Sequence, residues 1–180
     1  ISIQMAARDL RYSWFSELLK LGNAKYIAVA HHQDDAIETF FINLIRGTGI
    51  SGLLGIPEKK SNIVRPLLNM SRSDIEEYLV AKKQTFREDS SNMSVKYLRN
   101  KIRLQLIPLL EEMNPKIKKT IQNEINILKK TSTVFSYHIK SVRKELIKIN
   151  NEVISLNIQK LRNLVPLKIY LYEILKPFGF

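Results

Sequence analysis

With 180 residues, 44% of them apolar, the chain is long enough to bury the core of one domain or one and a half. It contains no cysteine, which excludes disulfides, thiolate zinc sites and a catalytic thiol. Its net charge of +12 points to a polyanionic partner, and no apolar stretch approaches the roughly 20 residues that span a bilayer, so a cytoplasmic protein is expected.

In chain order, Ala7, Leu10, Trp14, Leu18 and Leu21 recur at helical spacing, and Gly22 follows as a C-terminal cap. Tyr26 to Ala30 reads as a strand, short and apolar enough to be central in a sheet. Ile37, Phe40, Phe41, Leu44 and Ile45 then mark one face of a helix closed by Gly47. Helix, strand and helix in that order predict a parallel α/β sheet, with ligands beyond the carboxyl ends of its strands. After a loop with Gly47, Gly49, Gly52 and Gly55, Ile63 to Leu67 is a second strand, with Pro66 at its end or on an edge. Ser71 caps a helix whose inward stripe is Ile75, Tyr78 and Leu79. A further helix from Val95 places Lys96, Arg99 and Arg103 on one face, and Pro108 with Asn114-Pro115 marks the end of the domain.

From Ile121 to Ile149 apolar residues alternate at spacings of four and three, predicting a long helix with a heptad seam. A core stripe is the favoured reading, and a coiled-coil homodimer is the alternative. Glu152 to Asn157 is a brief strand or turn, and Leu161 to Leu175 a last helix before Pro177. Residues 90–144 carry 12 of the cations against 3 carboxylates, so the excess charge is concentrated there. The chain opens on Ile1 with a helical pattern already running at Met5, and it is expected to be a fragment of a larger protein.

Chemistry is expected at AHHQDDAIETF, residues 30–40. Asp34, Asp35 and Glu38 lie within about one helical turn and lack a cationic partner on the same helix, so a metal ion or ammonium group is implied. Adjacent His31, His32, Asp34 and Asp35 also admit Mg²⁺, Mn²⁺ or Zn²⁺ chelation, while negative charge in a first helical turn has a plain structural role. Arg46 leads into the glycine loop and is placed to meet a phosphate or carboxylate.

ARDLRYSWF at 7–15, AHHQDDAIETFFINLIRGTGISGLLGI at 30–56, RPLL at 65–68 and EDSSNMSVKYLRNKIRLQLIPLL at 88–110 closely resemble the tRNA(Ile)-lysidine synthetase family of N-type ATP pyrophosphatases. The resemblance implies an incomplete Rossmann-like parallel sheet of the adenine nucleotide α-hydrolase kind over residues 1–115. A basic linker helix over 116–150 and the start of an all-α domain over 151–180 would follow. It further implies ATP-dependent adenylation of the wobble cytidine in a CAU-anticodon isoleucine tRNA, then displacement of AMP by L-lysine. Asp34, Asp35, Glu38 and Arg46 would be catalytic, with Mg²⁺ on Asp34 and Asp35. His31, His32, Arg8, Arg11 and Arg65 would bind substrate, and Lys96, Arg99, Asn100 and Arg103 would face tRNA. The family's Ser-Gly-Gly-X-Asp-Ser phosphate loop is not in this sequence, so this piece alone is expected to be inactive. Thiolating relatives depend on cysteines that this chain lacks. The remaining alternatives are a metal-dependent phosphoesterase and a tRNA-binding module without catalysis.

Overall fold

A computed structural model describes residues 3–22, 24–86, 97–150 and 153–179. Local signals place most helix ends. Helix α1 spans Ile3–Lys20, strand β1 Ile27–Ala28 and helix α2 Gln33–Arg46. The Asp35 carboxylate accepts the His32 N–H at 3.0 Å where α2 starts, and Gly47 stops the helix at φ +74° while donating to the Leu44 carbonyl. Part of the expected glycine loop is one helical turn, α3 (Ile50–Leu53), followed by β2 (Lys59–Lys60) and β3 (Ile63–Val64). Helix α4 (Arg72–Ala81) opens on Ser71, whose Oγ accepts the Asp74 N–H at 3.1 Å while Asp74 accepts the Ser71 N–H at 2.9 Å.

The first sheet has the order β1-β3-β2, with β1 parallel to β3 and β2 antiparallel to it. Among the described residues β3 is the central strand, and β1, expected to be central, lies at an edge. The class is α/β, largely helical with small sheets.

Leu98–Lys101 (α5) continues through a π-helical segment, Ile102–Leu106, into α6 (Ile107–Met113). Pro108 lies inside this run, directly after its π-helical segment. Helix α7 spans Ile117–Leu146. The chain forms two compact units, Ile1–Asn126 and Ile127–Phe180. The division between these units falls inside α7. Ile121 and Ile125 join the first core with Ile37, Ile102 and Ile107, whereas Leu146 joins Leu161 and Ile174 in the second. Burying each such side chain contributes about 1.5–3 kcal/mol, which is why the heptad seam serves as core within each unit.

The second unit is not all helical. Strands β4 (Ile147–Asn150) and β5 (Val153–Leu156) form an antiparallel pair, in keeping with their β-branched residues. The helix expected over Leu161 to Leu175 is two, α8 (Ile158–Arg162) and α9 (Leu167–Leu175). Pro166 separates them because it lacks an N–H and disfavours helical backbone at Val165. In α1 the expected inward stripe is uncovered: Leu10 is 73% and Trp14 56% exposed, since no described element packs across that face. Tyr78 on α4 is likewise exposed, leaving Ile75 and Leu79 as its half-buried pair.

Candidate active site

The acidic cluster sits where β1 turns into α2, and it is held by cations from distant parts of the chain. Glu38 is only 1% exposed and receives a bidentate grip from Arg103, Nε to Oε1 at 2.6 Å and NH2 to Oε2 at 3.1 Å. Arg99 Nε lies 3.1 Å from Glu38 Oε2, out of line for a hydrogen bond, while its NH2 donates to Thr39 Oγ1 at 3.0 Å. The hydrogen bond that Arg103 donates to Glu38 raises the Arg103 pKa against the opposing effect of burial. Asp34 Oδ2 accepts the backbone N–H of Arg72 at 2.8 Å, adding negative charge at the start of α4. Its Oδ1 lies 3.3 Å from Lys118 Nζ, which also reaches Glu111 at 3.2 Å. Burial pulls the Lys118 pKa down, but Asp34 and Glu111 outweigh it and the net direction is upward.

The cation implied by three crowded carboxylates is therefore supplied largely by protein side chains. Their lack of partners holds only within α2: Arg99, Arg103 and Lys118 come from beyond it. Nothing local distinguished Lys118 among the many lysines of its segment, and Arg72, which contributes through its backbone, was equally inconspicuous.

A cavity of about 250 Å³ opens on this cluster, lined by His32, Asp34, Glu38, Arg72, Arg103 and Lys118. Both signs of charge line it, and its size suits a small polar molecule. His32 Nδ1 lies 3.7 Å from Asp34 and Nε2 3.5 Å from Asp35, and Nδ1 is buried without a hydrogen-bond partner. Arg72 Nε also donates to Glu76 at 2.6 Å on the rim.

The donor set does not fit a protein-borne magnesium site. Asp34 has one oxygen on an ammonium and the other on a backbone N–H, and Asp35 is tied to the His32 N–H. Among the described residues no three His, Asp or Glu side chains are grouped as metal ligands.

The other expected site residues are dispersed. Arg46 is exposed at the far end of α2, about 18 Å along the helix from Asp34 at 1.5 Å per residue. Arg65 is 8% exposed and donates to His31 Nδ1 at 3.2 Å and to the Pro57 carbonyl at 2.8 Å. Arg8 stacks on Tyr12, 4.8 Å from the ring centroid, and its charge acts on His31; Arg11 is exposed on α1. Asn100 is buried, and Arg103 turns inward onto Glu38. Lys96 lies outside the described residues.

A parallel strand pair feeding an acidic helix start that opens on a polar cavity is an α/β arrangement suited to small-molecule chemistry. The chain belongs to the PP-loop domain family, which it matches over residues 1–110. Residues 148–180 match the TilS substrate binding domain. Over all 180 residues the chain is 44% identical to the tRNA(Ile)-lysidine synthase of Bacteroides thetaiotaomicron and 43% identical to that of Parabacteroides distasonis, covering 41% and 40% of those proteins. To the tRNA(Ile)-lysidine synthase of Caldanaerobacter subterraneus it is 36% identical over 164 residues, 91% of this chain and 35% of that protein. The chain thus spans about two-fifths of the length of the curated relatives it matches. Among the described residues no helix is long and apolar enough to cross a membrane.

Proposed function

We propose that this chain carries the lysine-binding side of a tRNA(Ile)-lysidine synthase. In this reading the C2 oxygen of the wobble cytidine, in a CAU-anticodon isoleucine tRNA, attacks the α-phosphorus of ATP and releases pyrophosphate. The ε-amine of lysine then bonds to C2, the C2–O bond breaks, and AMP leaves. The mixed-charge cavity carries the proposal: a free amino acid brings ammonium and carboxylate groups together, and the cavity sets Asp34 beside Lys118, Arg72 and Arg103. Asp34 pairs with the ammonium of Lys118 at 3.3 Å, so an ammonium group is accommodated in this lining. His32, between Asp34 and Asp35, is the group placed to take the proton that the ε-amine must lose before it attacks.

Magnesium belongs, in this reading, with the phosphates of ATP rather than with Asp34 and Asp35. The parallel pair β1 and β3 is read as part of a Rossmann-like nucleotide-binding sheet, with residues 1–115 the remainder of the catalytic domain. A phosphoesterase is disfavoured because Asp34, Asp35 and His31 each offer an atom already engaged by a protein donor.

The test is incorporation of labelled lysine into isoleucine tRNA by the whole protein, with ATP converted to AMP and pyrophosphate. A folded protein that incorporates none overturns the proposal.

A further inference from the structure

Arg65 and His31 form a contact to which the reaction above assigns no role. Arg65 is fixed at three points. Its backbone N–H donates to the Glu58 carbonyl at 2.9 Å, its NH1 to the Pro57 carbonyl at 2.8 Å, and its Nε–H to His31 Nδ1 at 3.2 Å. A guanidinium has only donors and stays protonated, so the atom it faces must offer a lone pair. Nδ1 of His31 is therefore unprotonated, and the neutral ring carries its proton on Nε2. Protonating Nδ1 would set one N–H against another beside a buried positive charge.

The surroundings act in the same direction. Burial is the largest influence and lowers the His31 pKa, as do Arg65, Arg99 and Arg8; Asp35 alone opposes them. The charged groups facing His31 thus come from α1, α2, the residue after β3, and α5.

We propose that Arg65 is a positioning residue that locks His31 as the neutral Nε2–H tautomer, which makes the ring a hydrogen-bond donor through Nε2 rather than a base or a metal ligand through Nδ1. That this donor serves turnover rests on the lysidine-forming reading; the tautomer does not. A donor of this kind contributes most when it meets an oxygen on which charge develops in the transition state.

Nitrogen-15 NMR of histidine-labelled protein tests the lock directly. The expected spectrum shows a proton on Nε2 and a bare Nδ1, persisting as the pH falls through 6.5, the ordinary histidine value. In Arg65→Met the two tautomers should mix and the ring should titrate near that value. In turnover, His31→Ala should lower kcat about a hundredfold. Arg65→Met should lower kcat about tenfold, with the KM for lysine within about twofold in both variants. Arg65→Lys, which keeps one N–H donor, should recover part of the loss. A wild-type ring protonated on Nδ1, or titrating at the ordinary value, overturns the proposal, and that spectrum decides even where Arg65→Met fails to fold. Wild-type protein with the expected tautomer but no lysidine formation would remove the reaction and leave the lock standing.

Discussion

Glu38 and Arg103 should behave as one unit, and a double-mutant cycle measures how tightly they are coupled. Glu38 is almost fully buried, whereas the Arg103 side chain is 24% exposed, so their removals are unequal. Glu38→Gln removes the charge from a carboxylate that faces two guanidiniums, taking away the nearest counter-charge of Arg103. Breaking a buried pair from one side costs about 3–5 kcal/mol. Partial exposure of the arginines lets water relieve some of that, giving an expected loss of about 2–4 kcal/mol. Arg103→Met strands the carboxylate with Arg99 alone, whose Nε is out of line, and should cost about 3 kcal/mol. The double variant Glu38→Leu/Arg103→Met replaces the pair by apolar groups and should be no less stable than the worse single variant.

The coupling energy should therefore exceed about 1.5 kcal/mol and change little between low and high salt, because a pair this buried is weakly screened. Urea unfolding gives the energies, and amide hydrogen exchange along α2 assigns them to the first unit. Additive effects, with coupling below about 0.5 kcal/mol, would refute the reasoning. The same pairing predicts that the two single variants share one phenotype in lysine use and tRNA binding, instead of separating the two activities.

Three further outcomes follow from local features. His31 is held below its ordinary value of 6.5 in the folded state, so the unfolded chain takes up the proton first as pH falls; stability should be complete above about 6.5 and decline below it, and His31→Gln should flatten that slope in urea titrations. Ser71→Ala removes the cap of α4 and should cost about 1 kcal/mol in urea unfolding, with Ser71→Asp close to wild type. On α7, Lys130, Lys140 and Lys144 are exposed; if they meet tRNA phosphates, tRNA affinity should fall steeply with salt, and each Lys→Ala should shallow the log-log slope by about 0.9. An unchanged slope in all three variants would remove them from the interface.

Much of the framework was legible in the chain because its signals are local. The Gly47 stop, the Ser71 cap, the apolar face of α2 and the seam of α7 each depend on residues within a turn or two, and periodicity reads those distances directly. The acidic cluster was legible for the same reason: three carboxylates at one helix start repel one another whatever surrounds them. The brief strand expected within Glu152 to Asn157 is β5, whereas helical periodicity alone carried the helix past Leu146 into β4 and across Pro166 before α9.

The roles of individual site residues belong to tertiary structure. Arg103 meets Glu38 across 65 positions, Arg65 meets His31 across 34 and Arg72 meets Asp34 across 38. In a run of basic residues read as a nucleic-acid face, Arg103 is the counter-charge of a buried carboxylate, and Arg65, read as a substrate-binding residue, is a buried donor to an imidazole. The sequence by itself determined that AHHQDDAIETF crowds negative charge at one helix start and that this charge must be met. Only folding decided what meets it, because Coulomb and hydrogen-bond energies depend on separations in space that packing sets and residue spacing does not record.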